Sequence, residues 1–547
     1  MKQPIIVLIL LTLFLTSCER IFHEPEISIG VIENQEKLIE AAEGCWAKFI
    51  WAINYPDRSS YYYQNLKADD VTFRPCGYRS FYQNKTDCWY STSADFTNYN
   101  QYSDYLYESL YLVIASVNNI ISKFTDPAKE DQLTQEIIGE MLFLRAYCHF
   151  RLVRTYGQVP IVRDIEVKYN LNKPDFLQIY AFIESDLKQA LSLLPLTSEA
   201  SRIPGKRPTQ AAAKTLLAEV YLHWAGYPIK DAEKYLFAAR EAGELIENAD
   251  YYGVGLMDDF AFLWDAEHSQ NKELLFTLYF SDLDKVNSVD EINLMYMKKE
   301  PYYLYVHPWY MDYNNSIFYS GNMEPSFFAS ELYFFNHFPR GYRKNITFFM
   351  KIYVPAQYFE RYGVDTGYIT IDTLSLCNRA GYRKFYYEES LHAGGVDLTK
   401  IDSSQTINIG EEYIGDNKIY IYRYAHTLLI YAEAKARSGQ LDISAYEAVN
   451  QIRRRANHVD LFSPSVFDLA PGLSNEAFAD SVVWERAWEL AGEPEGRYFD
   501  LLRLERLEDL ENYRHPYENI PPLKPITHDE YFVPIPEEDV LLNPNLE

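Results

Sequence analysis

Apolar residues recur every three or four positions along much of the chain, and this period predicts a helical scaffold. Four helices are predicted in the first two hundred residues, over 33–54, 102–124, 136–154 and 176–194. The third has the clearest apolar stripe, made of Ile137, Met141, Leu144, Cys148 and Leu152. It is predicted to stop in the run Tyr156-Gly157-Gln158-Val159-Pro160, because glycine and proline end helices.

Two further segments each indicate a pair of helices joined by a short turn. The first, 209–246, has an alanine-rich opening helix and turns at Gly226-Tyr227-Pro228. The second, 422–455, turns at Gly439. Helix pairs of this length, with small residues where the helices cross, are typical of tetratricopeptide units. The pattern therefore predicts an interrupted tetratricopeptide-like scaffold of helical hairpins, with two unrelated hairpins as the alternative.

The helical period fades between the two hairpins. Gly, Asn, Asp and aromatic residues dominate there, with short alternating runs such as 273–280. We therefore predict a mostly α fold that carries a large irregular insertion of loops and short strands. The predicted division is an N-terminal helical region over 33–250, the insertion over 251–413 and a C-terminal helical region over 414–547.

The amino terminus has the pattern of a signal peptide. Lys2 precedes an apolar run over 5–15, which is too short for a transmembrane helix, since that needs about 20 residues. The run ends in Leu15-Thr16-Ser17-Cys18, which resembles a lipobox. We expect cleavage of residues 1–17, lipidation of Cys18 and an acidic tether over 18–32, with an ordinary secretory signal as the alternative.

Composition and charge narrow the function classes. Hydrophobic residues make up 48% of the chain, enough for a folded core. The net charge of -27 repels phosphates and excludes a nucleic-acid partner. Five cysteines remain after Cys18, an odd number without Cys-x-x-Cys spacing. Cys76 and Cys88 are close enough in sequence to pair across a loop, whereas Cys148 is expected to be a buried thiol.

Several separated motifs then occur in a characteristic order. They are Phe143-Leu144-Arg145-Ala146-Tyr147, Pro208-Thr209, Arg423-Tyr424-Ala425, Tyr431-Ala432-Glu433-Ala434, Glu485-Arg486, Glu489-Leu490, Gly496-Arg497, Asp500-Leu501, Arg503 and Pro534-Ile535-Pro536. With the lipobox, they resemble the SusD/RagB family of nutrient-binding lipoproteins over essentially the whole chain. The family pattern Glu-Gly-x-Arg is altered here to Glu493-Pro494-Glu495-Gly496-Arg497, which leaves the geometry of that loop open.

The resemblance implies a cell-surface protein that is lipid-anchored to a Bacteroidetes-like outer membrane. Such a protein binds a glycan and delivers it to a TonB-dependent transporter of the SusC type. The runner-up is the same scaffold binding peptides, as RagB-like members do, and the third hypothesis is a glycoside hydrolase. These family motifs do not identify the sugar.

Catalytic motifs are missing from the sequence: it contains no G-x-S-x-G elbow, P-loop or H-E-x-x-H. A two-carboxylate glycosidase is not excluded by motif, because its carboxylates need only meet in space. We nevertheless predict a non-enzyme, in which one cluster of charges forms structural arginine–carboxylate pairs: Glu485, Arg486, Glu489, Arg497 and Asp500. No cofactor or metal ligand is predicted, although Asp282 and Asp284 leave a structural calcium ion open.

Two polar, aromatic-rich regions are the predicted ligand contacts. The first lies within 69–100 and offers Asp70, Arg79, Trp89, Tyr90 and Asn98. The second lies within 302–313 and offers Tyr305, Trp309 and Tyr310. A flat ring packs against the C–H face of a sugar, while polar groups at its rim bond the hydroxyls. The alternative is that these rings pack the insertion onto the helices.

Overall fold

The computed structural model describes residues 32–54, 68–70, 72–73, 100–163, 170–264, 268, 270–279, 328–329, 332–348, 351–353, 368–370, 382, 384, 418–512 and 526–547. Its α-helices are α1 (Gln35–Asn54), α2 (Asn100–Ile121), α3 (Gln132–Tyr156), α4 (Phe176–Leu193), α5 (Gln210–Trp224), α6 (Lys234–Glu247), α7 (Ala249–Tyr252), α8 (Leu332–His337), α9 (Tyr342–Thr347), α10 (Tyr424–Arg437), α11 (Ile443–Ala456), α12 (Asn475–Glu489), α13 (Arg497–Arg503) and α14 (Glu537–Leu542). The strands are β1 (Thr72–Phe73), β2 (Leu274–Tyr279), β3 (Phe328–Ala329), β4 (Lys351–Tyr353), β5 (Tyr368–Thr370) and β6 (Lys418–Arg423). They form three antiparallel pairs, β1–β3, β2–β6 and β4–β5. The mostly α fold predicted from the sequence is confirmed.

Helix α3 lies at the centre of the helical scaffold. It begins after Asp131, whose carboxylate accepts a hydrogen bond from the Thr134 amide (3.1 Å), and ends at Gly157, which has a φ of 75°. Every residue from Glu136 to Tyr156 is buried. The helix is therefore covered on all sides, although the sequence predicted a single apolar stripe.

The two predicted helical hairpins are present and pack side by side. They consist of α5 with α6 and α10 with α11, and α6 lies against α10. The hydroxyls of Thr215 and Thr427 are 2.7 Å apart between α5 and α10. At Gly243 an added Cβ would lie 2.9 Å from the Tyr431 ring, so the crossing requires a residue without a side chain. The long insertion therefore interrupts the repeat in sequence but not in space.

The strand predicted within 273–280 is observed as β2, but both of its faces are covered. Residues Leu275 to Tyr279 are all buried. The Phe276 ring packs against α3, where its centre lies 5.0 Å from the centre of the Phe143 ring and 5.3 Å from that of Tyr147. Burial on both faces is the reason why β2 acts as part of the core and not as a surface strand.

Both described cysteines are buried free thiols, Cys45 and Cys148, as the sequence predicted for Cys148. Cys76, Cys88 and the proposed lipidation site Cys18 lie outside the described residues. Among the helices that the structure describes, none has the length and apolar character needed to cross a membrane.

A buried ion-pair network joins β2, β6 and the end of α12. The guanidinium of Arg423 lies 2.8 Å from Glu273, 2.6 Å from Glu489 and 2.9 Å from Glu493. All four side chains are almost completely enclosed. Charge-assisted bonds of this kind are strong, and they fix the relative positions of elements that are far apart in sequence.

Glu489 is the most heavily shared carboxylate of this network. Besides Arg423, it accepts hydrogen bonds from Arg455 (2.6 Å) and Arg343 (2.8 Å). Burial alone would raise the pKa of Glu489, but the three guanidiniums hold that pKa well below its usual range. The carboxylate is therefore ionised and fully engaged.

The remaining members of the predicted charge cluster are also paired. Arg486 bonds Asp500 (3.0 Å), Asp500 also accepts from Arg503 (2.7 Å), and Glu485 lies 2.7 Å from Arg343. The structural interpretation of this cluster is confirmed, because each described carboxylate in it faces an arginine.

We expect Glu489→Gln to lower the free energy of unfolding by about 3 to 5 kcal/mol, because it leaves three arginines around a site without its charge. Urea unfolding measures this loss. The matched control is Glu40→Gln, whose carboxylate pairs with Lys37 at the surface (2.6 Å) and should contribute no more than about 1 kcal/mol. Equal, small losses in both variants would contradict a stabilising role for the network.

Candidate functional site

A short strand pair lies close in sequence to the two regions predicted to bind ligand. Strands β1 and β3 pair antiparallel, with Thr72 opposite Ala329 and Phe73 opposite Phe328. Residues 74–99 continue directly from β1, and residues 301–327 lead into β3. Paired strands lie about 5 Å apart. The structure therefore places the start of the first region beside residues 328–329, which lie fifteen residues beyond the second region, and no local sequence pattern indicates this pairing.

Most of the predicted contact residues lie outside the described residues: Arg79, Trp89, Tyr90, Asn98, Tyr305, Trp309 and Tyr310. Their assignment to the ligand stays a prediction. Asp282 and Asp284 also lie outside, so the open question of a structural calcium ion is unchanged. Among the described residues, no group of three or more His, Cys, Asp or Glu side chains could hold a metal ion.

Asp70 is described, and its position corrects the prediction made for it. Its side chain is buried, and Oδ2 accepts a hydrogen bond from the Gly492 amide (3.0 Å). The Tyr382 hydroxyl donates to the Asp70 carbonyl (2.5 Å). A carboxylate enclosed in this way does not face a surface ligand. We therefore assign Asp70 a structural role, in which it fixes the segment before β1 to the turn after α12.

The environment of Asp70 favours its protonated form. Burial raises the pKa of this carboxyl to about 7, the Gly492 amide lowers it in part, and the neighbouring Asp69 carboxylate raises it further. Oδ1 has no hydrogen-bond partner. An unpaired oxygen in a closed site is costly when it is charged, which explains the direction of the shift.

Asp69, the adjacent residue, forms a buried pair with Arg497 of α13. Arg497 donates to both carboxylate oxygens, at 2.8 Å and 3.2 Å. Its guanidinium also lies 4.3 Å from the centre of the Trp484 ring. The Gly496-Arg497 motif therefore holds a segment more than four hundred residues away in sequence.

Aromatic rings surround this pair. Tyr333 on α8 is half-buried, and burial, with the Asp69 carboxylate next in effect, raises its pKa. The Tyr333 ring stacks on His337 at 3.8 Å. Trp484 and Trp488 stack at 5.8 Å along α12, and both are half-buried. We call strands β1 and β3, with Asp69, Asp70, Tyr333, Trp484 and Arg497, the loop base.

Sequence reasoning did not select Tyr333 or Trp484. A signal for Trp484 was available, because Trp484 and Trp488 are four residues apart and so share one helix face. No sequence pattern links either ring to Asp69, since that neighbourhood is created only by the tertiary fold.

Two family models match separate parts of the chain, and the second begins within the predicted insertion. One, described as starch-binding associating with outer membrane, matches residues 48–222. The other, the SusD family, matches residues 339–547 and so includes the loop-base residue Arg497. The chain belongs to the SusD/RagB family. The resemblance inferred from the sequence is thus confirmed.

Similarity to individual SusD-like proteins supports this membership. SusD-like protein P25 of Formosa agariphila is 25% identical over 461 residues, which cover 80% of this chain and 77% of that relative. A SusD superfamily protein of Parabacteroides distasonis superposes with a TM-score of 0.66 at 19% identity, covering 93% of this chain and 98% of the other. A laminarin-binding SusD-like protein superposes with a TM-score of 0.64, also at 19% identity, with the same coverage. These structural matches show a shared fold.

SusD/RagB proteins are a family of carbohydrate-binding proteins and not a family of enzymes. In general they are lipoproteins associated with the outer membrane and work with SusC-like transporters. In this chain the buried carboxylates of Glu485, Glu489 and Asp500 are each engaged by an arginine, as in a structural scaffold.

We expect the stability difference between Asp70→Asn and the unchanged protein to depend on pH. The pKa of Asp70 is about 7 in the folded protein, above its ordinary value of 3.8. Between these two values only the folded state keeps the proton, so each unit by which the pH rises lowers the free energy of unfolding by about 1.4 kcal/mol. The asparagine does not titrate and can still accept from Gly492. At pH 8 the variant should therefore unfold at higher urea concentration than the unchanged protein, whereas at pH 4 this advantage should be absent.

The matched control is Asp69→Asn, which removes the charge that faces Arg497. This variant should be less stable than the unchanged protein at pH 8, which is the opposite of the effect expected for Asp70→Asn. A difference for Asp70→Asn that stays constant from pH 4 to pH 8 would show that Asp70 does not titrate in the folded protein.

Proposed function

We propose that this protein is a cell-surface lipoprotein that binds a glycan and delivers it to a SusC-like TonB-dependent transporter. One observation carries the proposal: the β1–β3 pair brings the strand from which the first aromatic-rich segment continues against the strand that follows the second such segment in sequence. Family membership supports carbohydrate as the ligand class, and a SusD-like protein of the same fold binds laminarin.

The loop base has the properties that a recognition surface needs beneath it. Asp69 and Arg497 are a buried bidentate pair, and Asp70 is bonded to the backbone of another element. Segments that start from such a base have fixed ends, so fewer of their conformations are lost when a ligand binds. The rings of Tyr333 and Trp484, which belong to this base, are half-buried, so each keeps part of its face exposed.

We propose binding without catalysis. Glu489, a C-terminal carboxylate that could suggest acid–base chemistry, is held ionised by guanidiniums, which lower its pKa against the effect of burial. A general acid needs the opposite, a raised pKa beside the scissile bond. Asp70 has a raised pKa, but it is enclosed and faces the Gly492 amide.

We expect Trp309→Ala and Trp89→Ala each to weaken glycan binding by about 5- to 150-fold, corresponding to about 1 to 3 kcal/mol for the loss of one stacking platform. The melting temperature should change little if the ring faces solvent. Calorimetric titration against a panel of polysaccharides that includes laminarin, beside a melting curve, measures both quantities. Peptides in the same panel test the runner-up ligand class.

Trp46→Ala is the control for these two variants. Trp46 is 2% exposed and donates to Glu140 (3.0 Å), so its loss should cost about 3 to 5 kcal/mol of stability. If Trp309→Ala and Trp89→Ala behave like this control, and their folded fraction binds normally, the rings are core and the proposed surface is wrong. Binding of peptides alone would replace glycan by peptide in the proposal.

We expect Cys18→Ala to remove the protein from the outer membrane, because the proposed anchor is the lipid on this cysteine. Fractionation of cells that lack the transporter shows whether the variant is soluble or held as a precursor. Ser17→Ala keeps a small residue before the cysteine and serves as the control. Retention of Cys18→Ala in the outer membrane of those cells would contradict the lipid anchor.

A further inference from the structure

Helices α11 and α12 run in the same direction, and this forces the chain to return along α11 between them. The centres of the Tyr446 and Phe478 rings lie 4.6 Å apart near the starts of the two helices, and Arg455 bonds Glu489 (2.6 Å) near their ends. Residues 457–474 make this return, and we call them the crossover loop. So long a connection without a helix or strand of its own is uncommon in a compact domain and is often functional.

Side chains of α11 hold the crossover loop in one conformation. Four of them bond its backbone: Arg453 donates to the Phe467 carbonyl (2.7 Å), Arg454 donates to the Leu461 carbonyl (2.7 Å), Asn450 accepts from the Leu469 amide (2.8 Å) and Tyr446 accepts from the Leu473 amide (3.0 Å). These bonds satisfy backbone groups at several points of the loop, so they fix its path along α11.

Arg454 also closes the tip of this loop, residues 462–467. Besides the Leu461 carbonyl, its guanidinium bonds both carboxylate oxygens of Asp468, at 2.8 Å and 2.5 Å. One buried side chain thus holds the residue before the tip and the residue after it. The tip is therefore a closed loop whose two ends lie together.

The tip presents large apolar side chains to solvent. Phe462 is 74% exposed, Val466 is 94% exposed, and Phe467 is also exposed. Single exposed apolar residues are normal on a protein surface, but here three lie on one short closed loop. An aromatic side chain has about 150 to 250 Å² of surface, so the tip offers on the order of 400 Å², a size at which an apolar patch is often a binding site.

The tip is uncharged, although the protein is strongly acidic. The chain has 78 acidic and 51 basic residues, yet residues 462–467 read Phe-Ser-Pro-Ser-Val-Phe. The nearest charged residues in the sequence are acidic: Asp460 is exposed, and Asp468 is paired with Arg454. Glu447, which also pairs with Arg454 (2.8 Å), is partly exposed. An apolar centre with a polar rim is the arrangement of a protein interface.

The rim favours a protein partner over lipid. Segments that lie in a membrane surface combine apolar side chains with Lys and Arg, which attract anionic headgroups. The exposed charge nearest the tip in sequence is Asp460, which anionic headgroups repel. Arg453, a partly exposed cation of α11, is already engaged by Glu485 (3.0 Å). We therefore expect the tip to contact a protein.

The size and charge of the tip restrict the kind of protein that it fits. A stable complex in solution buries about 800 Å² on each partner, roughly twice what the tip offers. Two copies of this chain would each carry a net charge of -27 and repel one another. A partner held in the same membrane needs a smaller contact, because anchoring raises the effective concentration of the two proteins.

We propose that the tip inserts into an apolar pocket on the extracellular face of the SusC-like transporter. This inference rests on the proposed function, which supplies a transporter in the same membrane, and it adds a contact through which the two proteins are held together. Because the tip is closed and fixed before binding, little conformational entropy is lost when it docks.

Capture of the full-length protein from outer membranes of its own cells, solubilised in mild detergent, tests the contact. The variant that combines Phe462→Ser with Val466→Ser should carry at least about tenfold less TonB-dependent transporter, because the loss of apolar anchors at the centre of an interface weakens binding by this factor or more. Mass spectrometry identifies and quantifies the transporter. The melting temperature and the affinity for glycan should be unchanged, since both side chains face solvent and lie outside the loop base.

Two control variants separate the tip from a general effect of exposed apolar residues. Ile443→Ser changes a residue that is 82% exposed at the start of α11, and it should leave the captured transporter unchanged. The variant that combines Phe462→Leu with Val466→Leu keeps an apolar tip and should retain most of the transporter. A loss in Ile443→Ser as large as in the serine variant of the tip would overturn the assignment of the contact to the tip.

The outcomes distinguish this inference from the proposed function. If the unchanged protein carries transporter and the serine variant of the tip carries as much, the tip is not the contact, while the proposed function stands. If the unchanged protein carries no transporter, the proposed delivery fails and the inference fails with it.

Sedimentation of purified Cys18→Ala protein, alone and with vesicles of phosphatidylcholine and phosphatidylglycerol, tests the other occupants of the tip. We expect a monomer that does not bind the vesicles. A dimer, or vesicle binding, that is lost when Phe462→Ser and Val466→Ser are added would show that the tip binds a second copy or lipid, and would overturn the proposal.

Discussion

The structure depends on a buried network of ion pairs between arginines and glutamates near the end of α12. Arg423 reaches Glu273, Glu489 and Glu493, which lie directly before β2, in α12 and in the turn after α12. Taking one such charge out of water costs several kcal/mol, so no member is stable there without the others. The network therefore restricts the fold more than it stabilises it, because only one arrangement of these elements satisfies every charge.

This constraint reaches the candidate site through the turn after α12. Gly492 holds Asp70, Glu493 accepts from Arg423 and from Lys384 (2.7 Å), and Arg497 holds Asp69. Burial lowers the pKa of Lys384 to about 8, although Glu493 partly offsets the effect. The residues directly before β1 are thus held by the scaffold. Ligand specificity can then vary in the sequence that follows β1 and precedes β3 while this base remains unchanged.

The helices could be predicted from sequence because their signals are local. The apolar period and the stop signals place the helices within a few residues of their observed ends. The exception is the start of α3, which Asp131 caps one turn earlier than predicted. The β2–β6 pair and the Asp69–Arg497 pair join residues that are far apart in sequence, and no local pattern indicates such partners. The sequence predicts Asp70 at the ligand surface because polar groups beside aromatic rings bond sugar hydroxyls, whereas in the structure tertiary contacts enclose it.

The altered run from Glu493 to Arg497 shows how an added charge is accommodated. Glu493 and Glu495 are both buried, but they serve different clusters, since Glu495 lies 3.1 Å from Arg151 and 2.6 Å from Arg154 of α3. Burial would raise the pKa of Glu495, and the two arginines lower it below its usual value. Two carboxylates separated by one proline therefore connect β6 on one side and the central helix on the other. The departure from the family pattern leaves the scaffold intact because each carboxylate has its own arginines.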